Sequence, residues 1–77
     1  IEFGIPDFAE NNITKLKIYN VLGQEIITLI NKKLTSGYHT VSWNGLNNKN
    51  QKVASGIYFY SLTNGDRGLI KKMIFVK

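Results

Sequence analysis

The chain has 77 residues, a formal net charge of +5, no cysteine and one proline, with 43% apolar and 19% charged residues. This length admits one domain and excludes two, the composition is that of a folded chain, and no apolar run approaches the ~18 residues of a membrane span. Without cysteine there is no thiol chemistry, disulfide staple or Cys-based zinc site, so a thin core, burying about 60–65% of the chain's surface, must hold the fold alone. The chain opens on Ile1 with neither a methionine nor a signal-peptide pattern, which reads as a single domain, residues 1–77, cut from a longer protein.

Taken in order, the segments alternate with a period of two. Ile1, Phe3 and Ile5 share one face of a short strand that Pro6 stops, an expected edge strand. In the next strand, about residues 14–20, Leu16 and Ile18 point one way while Lys15, Lys17 and Tyr19 point the other. Gly23 allows a turn, and the Ile- and Thr-rich run Glu25–Ile30 returns as the second arm of a hairpin. A helix over Glu25–Lys33 also fits Ile26, Leu29 and Ile30, but β-branched content favours the strand. A polar connection from Lys32 to Gly37 leads to a strand over residues 39–43, with His39, Val41 and Trp43 on one face and Trp43 as an expected core anchor.

Residues 44–52 are Asn-rich and read as a loop, because Asn and Gly tolerate left-handed backbone and bond locally. A short seventh strand around Val53 is a further expectation. Ser55-Gly56 closes the loop, and Ile57–Leu62 forms an aromatic strand. Asn64-Gly65-Asp66 is a tight hairpin signal, with Leu69–Val76 as the antiparallel return strand. Six to seven strands, turn signals every ~8–12 residues and no helix predict a small all-β antiparallel sandwich.

Chemistry is sparse. One histidine excludes a multi-histidine metal site, and His39 reads as a partly buried strand histidine bonded to a neighbour. The five carboxylates form no sequence-local acid–base pair; Asp7 and Glu10 share a loop and read as solvated. Residues 44–50 contain no carboxylate, so the loop is a structural turn and not a calcium site. Asn12-Ile13-Thr14 matches a glycosylation pattern that occurs often by chance. No cofactor and no enzymatic activity are expected.

The charge is uneven: residues 1–31 carry two lysines against four carboxylates, whereas residues 32–77 carry eight basic residues against Asp66. Nine of the ten basic residues are lysines, which speaks against specific phosphate recognition, so no specific nucleic-acid partner is expected. Tyr58, Phe59 and Tyr60 read as packing residues and not as a base-stacking platform. The final segment stands out because Met73–Val76 is apolar on both faces between Lys71-Lys72 and Lys77. Either the strand is central or crossed by a loop, or it is a docking edge guarded by lysines.

Four blocks, Leu16–Glu25, Gly37–Gly45, Ala54–Leu62 and Lys71–Lys77, resemble in order and spacing the type A C-terminal sorting domain of the type IX secretion system. The Ig-like domain of flagellar hook-capping proteins is similar over the same blocks. The resemblance implies an Ig-like β-sandwich at the end of a secreted or cell-surface protein. It would be recognised by the outer-membrane type IX translocon and removed by a sortase-like peptidase, with the preceding cargo domain carrying the activity. Lys71, Lys72, Met73, Ile74, Phe75, Val76 and Lys77 would present the recognition element, without membrane insertion. The alternative is a non-catalytic structural or assembly module like that of the hook cap. The chain starts just after where the family's frequent Tyr-Pro-Asn-Pro-Phe segment would lie, and Asn47, Asn50 and Lys52 stand where Asp, Gly and Pro are usual.

Overall fold

A period-two sequence pairs into sheets because successive side chains leave the pleat on opposite sides. The computed structural model describes Ile1–Lys77 and contains β1 (Glu2–Ile5), β2 (Ile13–Tyr19), β3 (Glu25–Lys33), β4 (Gly37–Thr40), β5 (Gly56–Asn64) and β6 (Arg67–Phe75). A 3-10 turn over Asp7–Ala9 is its only helical piece. All pairings are antiparallel: one sheet has the order β3-β2-β5-β6 and the second contains β1 and β4. The expected all-β sandwich is what forms, with six strands.

Several boundaries differ from expectation, among them β6, which runs Arg67–Phe75 and not Leu69–Val76 because pairing with β5 begins at the Gly65-Asp66 turn and ends at Gly56. The strand predicted over 39–43 lies at Gly37–Thr40, because Val41 is the last residue to find a partner, exchanging two 2.8 Å hydrogen bonds with Ile1. No strand forms around Val53; Leu46 and Lys52 make one isolated bridge and the Val53 amide donates to Gly45. β3 runs to Lys33 as a strand, with two register shifts against β2 that bulge it near Ile26 and Leu29.

β2 lies between β3 and β5, so its inward side chains are covered on both flanks: Thr14, Leu16 and Ile18 are fully buried. Phe3 and Ile5 of β1, with Ala9 of the 3-10 turn, close over Leu16. Phe3, Ile5, Leu16 and Ile18 each contribute about 1.5–3 kcal/mol on burial. The four-residue strands β1 and β4 are too short to roof the nine-residue β5 and β6. Trp43 covers one end from outside the main cluster, its ring centroid 5.0 Å from Tyr58 and 4.9 Å from Phe75. It anchors this aromatic group and not the central core expected from sequence. The indole N–H donates to Leu46 and the Tyr58 hydroxyl to Ala54, so both buried polar tips are satisfied.

Two loops use the same turn. At Asn20–Gln24 and at Asn47–Gln51, the Asn side-chain oxygen accepts from the amides two and four residues on. The Asn side-chain amide donates to the Gln side-chain oxygen, and the backbone amides at the first and fourth positions close the ring. The fourth residue takes positive φ in both, 80° at Gly23 and 60° at Asn50. The second turn holds Asn48 against β3, donating to the Ile26 carbonyl. Asn20→Ala and Asn47→Ala are each expected to destabilise the chain by about 1–2 kcal/mol. Thermal unfolding should then show Tm falling by about 4–8 °C per kcal/mol, and an unchanged Tm in both variants would show that these bonds are replaced by water at no cost.

Candidate functional site

Lys71–Phe75 form the end of β6, with Val76 and Lys77 just beyond it, and β6 pairs with β5 and with no other strand, so it is an edge and not a central strand. The hairpin register, set by the two-residue turn Gly65-Asp66 with Gly65 at φ 59°, decides which side chain faces where. Tyr58 stands beside Met73, Tyr60 beside Lys71 and Leu62 beside Leu69 on the inner face. Ile57 stands beside Ile74, Phe59 beside Lys72 and Ser61 beside Ile70 on the outer face.

The seven residues singled out from sequence therefore separate. Met73 and Phe75 are half-buried, Phe75 beneath Trp43 and against Gly45. Lys71, Lys72 and Lys77 are exposed, and the Lys77 amide donates to the Ser55 hydroxyl. Ile74 and Val76 are 72% and 75% exposed, and Ile70, at 71%, joins Ile74 on the same face around Lys72. Ile57, Phe59 and Ile70 were missed as site candidates. Counting back from the Gly65-Asp66 turn would have placed them on the face of Lys72 and Ile74.

The chain's ion pair joins Lys17 to Glu25 at 2.9 Å across β2 and β3. Its hydrogen bond holds the Glu25 carboxyl below the usual carboxylate range and the Lys17 ammonium above the usual lysine range. Lys71 and Lys72 have no such partner, and β6 contains no acidic residue. The outer face near β6 thus combines uncompensated positive charge with exposed aliphatic surface.

The other candidates are structural in role. The His39 Nε2 donates to the Thr35 carbonyl at 2.8 Å and its ring stacks on Phe3 at 5.7 Å. Glu10 accepts from the Ser36 amide. No group of three or more His, Cys, Asp or Glu is gathered in a metal-binding arrangement. A cavity of about 280 Å³ between the sheets is lined by Ile5, Pro6, Leu62 and Leu69, with Arg67 at its rim placed 5.0 Å over the Phe8 ring. At its floor Asn64 is buried, donating to the Ala9 carbonyl and the Thr14 hydroxyl and accepting from Asn12. This space follows from the short second sheet.

The family model described as the FlgD Ig-like domain matches residues 1–68. The match spans β1 to β5 and ends at Gly68, so residues 69–77 lie beyond it. No curated protein and no solved structure matches the chain.

Proposed function

We propose, since this chain belongs to the FlgD Ig-like domain family, that it is a non-catalytic assembly module, as in flagellar hook-capping proteins. It acts on the secreted or cell-surface side of the cell and contributes a binding surface, not a reaction. The observation that carries this reading is the family match over five of the six strands. The dispersed carboxylates and the committed His39 are in keeping with it. Removing residues 1–77 from the parent protein is expected to abolish its incorporation into the surface assembly, measured by co-sedimentation with that assembly. Full incorporation without the domain would overturn the reading.

A second reading is favoured by one feature: the exposed, lysine-flanked end of β6 lies beyond the hook-cap match and resembles the terminal strand of type IX sorting domains. In that reading the type IX translocon recognises Lys71–Lys77, and a sortase-like peptidase removes the domain from its cargo. Truncation of residues 72–77 in a full-length cargo then leaves the cargo in the periplasm, measured by cell fractionation. Unchanged surface delivery would eliminate the sorting role.

A further inference from the structure

The four strand edges of a two-sheet sandwich are its natural sites of strand addition, and here one is interrupted and two are short. The β3 edge is bulged, and Asn48 lies on it, its amide donating to Ile26 at 2.9 Å and its side-chain oxygen accepting from Thr28 at 3.4 Å. β1 and β4 have four residues each, too few for a long partner strand. β6 offers nine residues whose outward backbone groups meet no protein partner. Lysines often guard such edges, but a guarded edge is solvated along its length, whereas Lys72 here sits between Ile70 and Ile74, both more than two-thirds exposed.

We propose that the free edge of β6 takes up an extended acidic segment of a partner protein by antiparallel strand addition. Two adjacent carboxylates of that segment lie opposite Lys71 and Lys72, and apolar side chains lie opposite Ile70 and Ile74. The proposal rests on the assembly-module reading and names the kind of partner its surface fits. Charge selects this occupant over a second copy of the chain. A two-fold pairing of β6 with itself centred on Lys72 sets Ile70 opposite Ile74 but also Lys72 opposite Lys72, and like charges directly opposite destabilise. Centring on Lys71 sets that lysine against itself, and centring on Met73 sets Lys71 and Lys72 against Phe75 and Ile74. No register supplies an acid, because β6 has none. An acidic strand neutralises both free ammonium groups, covers the exposed isoleucines and satisfies the open backbone groups together.

The test is titration of the chain with a synthetic heptapeptide carrying two adjacent glutamates flanked by valines, followed by fluorescence anisotropy and by amide shifts. Three controls accompany it: the same peptide with lysines for the glutamates, one with N-methylated backbone on the pairing side, and the Lys71→Glu/Lys72→Glu variant. Both lysines are exposed, so the variant should keep the fold, and an unchanged circular dichroism spectrum checks this. Expected are shifts concentrated at 69–75, affinity about tenfold lower for the lysine peptide, a reversed preference in the variant, and loss of binding on N-methylation. If the variant does not fold, the N-methylated and lysine peptides decide. Absence of binding at millimolar peptide overturns the proposal. So does equal binding of the N-methylated peptide, which would mean charge attraction without strand addition, or a dimer by sedimentation that excludes the peptide, which would make a second copy the occupant. These failures would leave the assembly role standing, since that role is read from incorporation of the parent protein.

Discussion

Replacing Gly45 with alanine is expected to destabilise the domain by about 2–4 kcal/mol, a large fraction of what a chain this small possesses. Gly45 holds φ at 78°, where an L side chain costs about 1 kcal/mol, and the remainder comes from packing. A Cβ built on Gly45 enters the Phe75 ring at its Cζ end. Making room shifts Phe75 and with it the Trp43 and Tyr58 rings that close this end of the sandwich. A double-mutant cycle in urea tests the cause: in a Phe75→Leu background the alanine should cost only about 1–2 kcal/mol, because the smaller side chain can yield. Equal costs in both backgrounds would place the effect in the backbone alone and remove Phe75 from the account.

The second large effect is at the opposite end of β5. Asn64→Leu keeps the side-chain volume but removes the amide that donates to Ala9 at 3.1 Å and to Thr14 at 2.9 Å, both within the protein interior. The fully buried Thr14 hydroxyl loses its partner, whereas the Ala9 carbonyl keeps the Asn12 amide and the exposed Asn12 side chain turns to water. Leaving that hydroxyl unpaired costs about 1–3 kcal/mol and losing the bond to Ala9 about 1 kcal/mol more, so a loss of about 2–4 kcal/mol is expected, with Tm falling by at least about 8 °C. Because Asn64 ties the 3-10 turn to β2 and β5, amide exchange at Asn12, whose N–H is held by Ala9, should accelerate in step. A variant as stable as the parent would show that apolar burial of leucine offsets the whole network.

These two positions mark where sequence reasoning stopped. Gly45 and Asn64 were legible as turn residues, and both do sit at turns, but their larger roles involve Phe75, thirty residues away, and Ala9, fifty-five residues away. Trp43 likewise looked like a central anchor from its alternation with Val41. Its place among Tyr58 and Phe75 depends on how far the short second sheet reaches. The left-handed residue at Asn50, by contrast, was readable locally, because few residues other than Asn and Gly tolerate that geometry.

The same division holds for the candidate site. That Leu69–Val76 reads as a strand whose end, Met73–Val76, is apolar on both sides and bracketed by lysines was visible in the residues alone. Whether that strand was central, covered or free was not, since edge status is a property of pairing between segments far apart in the chain. The sequence by itself determined the strand order in the chain, the turns and the lack of a local catalytic pair, because pleat alternation and turn sterics act over a few residues. Tertiary structure alone decided that β6 is an open edge and that Asn48 covers β3 at Ile26 and Thr28. Those outcomes arise because edge status depends on which distant segments pair in the plane of the sheet, and no segment of the chain pairs with the outer side of β6.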